Sequence, residues 1–122
     1  MAECDMEKRQ LVTAITEDHQ IAILEIITDG DSSGYLGLSA PELDEVIHRL
    51  GHIRQQMSDR VPPRLDVNPR LPAVDDPAWH IGITEDNLTI TLAIRHPGFG
   101  WLGFCLPRKE AKHLGKLLTS RS

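Results

Sequence analysis

Two histidines one helical turn apart, His48 and His52, come nearest to a chemical constellation in this 122-residue chain. Imidazoles at positions i and i+4 share a helix face, Glu45 stands on the same side, and a divalent metal would need one further ligand from elsewhere. The H-E-x-x-H motif also requires a glutamate directly after the first histidine as general base, and here Arg49 follows His48. A metal-assisted enzyme using His48 and His52 is thus one reading, and a solvated helix face is the other. His19, His80, His96 and His113 have no serine or cysteine at a spacing that suggests a nucleophile and its base. Asp75-Asp76 and Glu85-Asp86 fall in linker and turn sequence, so no acid pair is placed for proton transfer. No catalytic residue, metal ligand or cofactor is assigned, and the chain reads as a non-enzyme.

Two further motifs imitate ligand loops. Gly98-Phe-Gly-Trp-Leu-Gly103 spells G-x-G-x-x-G, but a dinucleotide loop leads from a strand into a helix, whereas a Pro97-Gly98 turn here leads into another strand. The spacing predicts a hairpin with a type II turn at Pro97-Gly98. Asp29-Gly-Asp-Ser-Ser-Gly34 resembles the opening of a calcium loop, yet the twelfth position falls on Ala40 and the bidentate glutamate is missing. It reads as a solvated turn.

The residues expected to do work are of another kind. Phe99 and Trp101 stand beside Arg95 and His96 at a hairpin tip, in a chain with only 4% aromatics, and exposed aromatics with arginine are frequent anchors at interfaces. Ile21, Ile23 and Ile27 put apolar side chains on a strand face whose counterpart later in the chain is polar, so that face needs a cover. These seven residues form the expected partner-binding set.

Around them the chain reads as two copies of one block. Ala14-Ile-Thr-Glu-Asp18 is answered by Gly82-Ile-Thr-Glu-Asp86, 68 residues on, and Ala22, Leu24 and Ile26 by Ile90, Leu92 and Ile94. Gly34-Tyr-Leu-Gly37 is answered by Gly100-Trp-Leu-Gly103 at 66, which predicts a first turn longer by two residues. Strands are expected at 10–16, 21–28, 35–38, 79–84, 88–95 and 101–106, with Leu88, Ile90, Leu92 and Ile94 alternating against Thr89, Thr91, Ala93 and Arg95. Ser39-Ala-Pro-Glu42 is a capping box opening a helix whose stripe is Leu43, Val46, Ile47, Leu50, Ile53 and Met57. A second helix begins at Pro107, with Ala111, Leu114, Leu117 and Leu118 on its apolar side. Prolines 62, 63, 69, 72 and 77 make residues 58–78 an extended strap held by Val61, Leu65, Val67 and Leu71. The expected fold is α+β: a tandem β-β-β-α duplication with antiparallel sheets, two helices and a pseudo-twofold, in a single domain of repeats 10–57 and 79–119.

Composition agrees with a globular chain, at 40% apolar and 25% charged residues. No apolar run approaches bilayer length and no leader is visible, so a cytoplasmic location is expected and a membrane is not. Two cysteines, Cys4 and Cys105, make no disulfide framework, and Cys105, in an apolar strand, is expected as a small buried hydrophobe. The net charge of −5 divides into +4 over residues 108–122 and −9 over the rest. An acidic body disfavours nucleic acid, leaving only the basic last helix to contact phosphate. The favoured function is a small interaction or regulatory module that binds another protein, or itself as a homodimer. The alternative is a phage or mobile-element inhibitor that blocks a nucleic-acid-binding enzyme through its acidic surface.

Overall fold

The computed structural model describes residues 8–65 and 71–121. Cys4 and the linker residues Val67 and Pro69 lie outside the described residues. The elements run β1 (Arg9–Ile15), β2 (Ala22–Thr28), β3 (Asp31–Leu38), α1 (Ala40–Gln56), β4 (Trp79–Ile83), β5 (Thr89–His96), β6 (Gly100–Pro107) and α2 (Arg108–Ser120). This is an α+β chain that passes through the order β-β-β-α twice. It divides into two units, Met1–Pro63 and Arg64–Ser122, whose boundary falls inside the proline-rich linker. Each unit holds one three-stranded antiparallel sheet, in the order β1-β2-β3 or β4-β5-β6.

The first turn of each sheet is written in local polar chemistry. Thr16 donates its hydroxyl to Asp18 at 2.6 Å, the Gln20 amide donates to the same carboxylate oxygen at 3.0 Å, and the Ile21 amide donates to the Thr16 hydroxyl at 3.1 Å. Thr84, Asp86, Leu88 and Thr89 repeat these bonds at 2.5, 3.0 and 3.3 Å. His19 and Asn87, each next to its aspartate, both take positive φ, 60° and 59°. A threonine and an aspartate two residues apart thus satisfy the amides that the reversing chain exposes.

The second turns differ, and in the opposite sense to that expected. Thr28 pairs with Asp31 across two residues, Asp29 and Gly30, both at positive φ (51° and 88°), as a type I′ hairpin requires. His96 pairs with Gly100 across three residues, and the positive φ of 79° falls on Gly100, while Gly98 has none. The left-handed residue is thus the first of β6, and the type II turn expected at Pro97-Gly98, which needs positive φ at Gly98, is corrected. The shorter first turn is compensated by a β-bulge at Ser33, between the pairs Ile27–Ser32 and Ile26–Gly34. Beyond it every rung is again 68 residues from its counterpart: Ile26–Gly34 matches Ile94–Leu102, and Ala22–Leu38 matches Ile90–Leu106. The two glycine-aromatic-leucine-glycine stretches are therefore alike in letters but not in position, since Tyr35 opposes Glu25 and Trp101 opposes Arg95. β3 also starts at Asp31, four residues earlier than the hydropathy pattern places it.

α1 begins as the capping box dictates. Ser39 accepts from the Glu42 amide at 3.4 Å, and Glu42 accepts from the Ser39 amide at 2.9 Å. The Ser39 amide, and then its hydroxyl, hold the Glu42 carboxyl below its ordinary pKa. Leu43, Val46 and Ile47 are half-buried, whereas Leu50, Ile53 and Met57 are exposed on the far half of the same stripe. Pro107 ends β6 and occupies the N-cap position of α2, one residue before the place sequence gives it, with no side-chain cap. α1 packs against β3, and α2 against β5 and β6.

Candidate functional site

Register shows which side chains share a face. In the second unit three rungs, Trp79–Ile94–Leu102, Ile81–Leu92–Phe104 and Ile83–Ile90–Leu106, line up across β4, β5 and β6. Nine large apolar side chains thus stand on one side of the sheet, because the side-chain period of a strand is two. α2 supplies Ala111, Leu114 and Leu118 above them. The cover is incomplete. An open groove of about 410 Å³ remains between helix and sheet, lined by Pro77, Trp79, Ile81, Ile90, Leu92, Ile94, Leu106, Ala111, Leu114, Gly115 and Leu118. On β4, Trp79 is 65% exposed, Ile81 50% and Ile83 63%; on β6, outside the groove lining, Phe104 is half exposed as well. The lining offers no titratable side chain, so the groove has the chemistry of a docking surface and supplies no acid, base or nucleophile.

The expected binding residues fall elsewhere. Arg95 and Trp101 oppose each other on the reverse face of this sheet, and both are exposed. His96 serves its own turn: its Nδ1 accepts from the Gly98 and Phe99 amides at 2.9 and 3.0 Å. The ring stacks on Phe99 with centroids 4.4 Å apart. Arg95, Trp101 and Phe99 remain available to a partner, while His96 holds the tip that presents them.

In the first unit Ile21, Ile23 and Ile27 are half-buried. Ile21 precedes β2 and lies over Gly37, where an added Cβ would stand 3.4 Å from its Cγ2. Ile23 pairs with Ala14 and Gly37, and Ile27 with Gln10 and Ser32 at the bulge. Exposed large side chains stand on both faces: Leu11, Ile15, Ile26 and Leu36 on the opposite one, and Val12 and Tyr35, which flank Glu25, on the same face as Ile23 and Ile27. Strand alternation marks both faces as apolar, and both keep exposed side chains.

The metal reading gains no third ligand. The Glu45 carboxylate is held by Arg49 at 2.9 Å, and among the described residues no group of three His, Cys, Asp or Glu side chains gathers. The calcium-like stretch is engaged piecemeal: Asp29 accepts from the Lys8 amide at 3.1 Å, and Ser33 donates to the Thr28 hydroxyl at 2.7 Å. Cys105 is exposed at the reverse face, 3.6 Å from the Thr91 hydroxyl, where sequence suggested a buried side chain. No helix among the described residues is long and apolar enough to cross a membrane.

No family model, curated protein or solved structure matches the chain.

Proposed function

We propose that the chain is a non-catalytic protein-interaction module whose second unit receives a partner in the groove between α2 and the β4-β5-β6 sheet. The observation that carries this is the bare β4 side of a continuous apolar face, on which Trp79, Ile81 and Ile83 are each at least half exposed. Exposed contiguous apolar surface of this kind is costly in water, and partner binding removes that cost. The aromatic tip at Phe99 and Trp101, with Arg95, is a second contact surface of the same module. Descent of both units from one β-β-β-α block draws support from the matched Thr16–Asp18 and Thr84–Asp86 turns and the common 68-residue spacing of the rungs.

The test is affinity capture from the native cell with three forms of the chain, followed by mass spectrometry and light scattering. Wild type is compared with Ile81→Asp in the groove and with Ile23→Ser/Ile27→Ser in the first unit, each checked for its native circular dichroism. Ile81→Asp is expected to lose a protein, or an oligomeric mass, that wild type retains. A folded Ile81→Asp chain that captures the same proteins at the same mass refutes the groove as the interaction site.

A further inference from the structure

We infer that the occupant of the groove is an amphipathic α-helix of another protein, with acidic side chains along one flank; this rests on the interaction reading above. The width of the bare strip comes first. Strands lie about 4.8 Å apart and packed helices about 8–10 Å apart, so a three-stranded sheet has room for roughly one helix beside another. α2 packs against β5 and β6, which leaves the β4 side open for a second helix alongside it. Backbone chemistry points the same way. The groove is lined by side chains that stand on the face of the sheet, so a peptide lying in it in extended form would bring unpaired amides against them, whereas a helix satisfies its own.

Charge then fixes the flank. Gly115 borders the groove and also borders a shallower hollow lined by Lys112, Lys116, Thr119 and Ser120. It forms a low saddle between an apolar floor and a cationic bank, and an added Cβ there would meet no atom within 4 Å. α2 carries Arg108, Lys109, Lys112 and Lys116 against Glu110 alone. A helix lying beside it gains by presenting glutamates or aspartates across that saddle. The chain's own α1 is a poor candidate from a second copy. Its exposed apolar side chains Leu50, Ile53 and Met57 stand in the half that carries Arg49 and Arg54, while its acids Glu42, Asp44 and Glu45 are confined to the first two turns. That half would set arginines against the lysines of α2.

The experiment titrates the full-length chain with two labelled synthetic peptides of about 18 residues, long enough to form a helix. Both carry leucines at i, i+3, i+4 and i+7; one has glutamates on the flanks and the other lysines. The acidic peptide is expected to bind about tenfold or more tightly than its twin, with the gap narrowing as salt rises. Lys112→Glu/Lys116→Glu should reverse the preference. Gly115→Phe should abolish binding with thermal unfolding no lower than wild type. Equal binding of both peptides, binding of neither, or a mass that doubles with concentration and is not competed by the acidic peptide overturns the proposal. If neither peptide binds while Ile81→Asp still loses its captured protein, the helical partner is wrong and the docking site stands. If Ile81→Asp loses nothing, the site itself is wrong.

Discussion

Gly115 and Gly100 make a matched pair for testing how the second unit is held. An added Cβ at either would meet no atom within 4 Å, so sterics are equal and only the backbone differs. Gly115 lies inside α2 with no positive φ, where a methyl group restricts the unfolded chain at no cost to the folded one; Gly115→Ala should stabilise by about 0.5–1 kcal/mol. Gly100 sits at φ 79°, where alanine is opposed by its own Cβ, and Gly100→Ala should destabilise by about 1–2 kcal/mol. The two variants should therefore lie roughly 1.5–3 kcal/mol apart, with wild type between them. Urea titration followed by far-ultraviolet circular dichroism resolves this. With a slope of roughly 1.5 kcal/mol per molar, Gly115→Ala should raise the midpoint by about 0.3–0.7 M and Gly100→Ala lower it by about 0.7–1.3 M. Midpoints that move in the same direction would refute the argument, because they would show that space, not φ, governs both positions.

Other consequences follow from the caps and turns. Ser39→Ala removes the oxygen that accepts from the Glu42 amide and should cost about 1 kcal/mol, read as a lower urea midpoint at unchanged slope. Asp18 and Asp86 titrate below their ordinary value, chiefly because the Thr16 and Thr84 hydroxyls donate to them, and next because the Gln20 and Leu88 amides do. A carboxyl whose folded pKa is depressed adds stability above its unfolded pKa, and that stability is lost as pH falls through the folded value. Unfolding midpoints should therefore drop between about pH 5 and pH 2, and the drop should be smaller in Asp18→Asn/Asp86→Asn. An equal drop in that variant would show that other carboxylates carry the acid sensitivity.

Sequence reports local chemistry better than it reports coverage, and particular residues show why. The Thr-Glu-Asp turns and the Ser39–Glu42 box are legible because their partners lie two to five residues away, and the bonds form whatever the rest of the chain does. The α+β order and the helical stripes are legible for the same reason. The second hairpins are not, because Gly-Tyr-Leu-Gly and Gly-Trp-Leu-Gly look equivalent while the strands are registered by turn length and a bulge, two features that letter matching does not weigh. The groove escaped for a different reason. Alternation told that Leu88, Ile90, Leu92 and Ile94 share a face, and helical spacing told that Ala111, Leu114 and Leu118 do. Neither pattern measures whether one surface is wide enough to cover the other. His96 has a local role that its place among aromatics does not announce, since its Nδ1 accepts from two amides of its own loop.

The two units share their rungs but not their bulk, and this decides where a partner has most to gain. Thr13, Ala22 and Gly34 occupy the positions that Ile81, Ile90 and Leu102 fill in the second unit, 68 residues later. The bulkier face has the shorter helix, 13 residues in α2 against 17 in α1. Fully burying a large apolar side chain gains about 1.5–3 kcal/mol, so Trp79, Ile81 and Ile83, already partly covered, offer about 3–5 kcal/mol together. Association costs an estimated 4–15 kcal/mol in lost freedom. The β4 strip alone therefore at best offsets the low end of that cost and holds no tight complex. A stable partner has to cross Gly115 and engage Lys112 and Lys116 as well, or reach the aromatic tip, and its footprint must be wider than the groove that admits it.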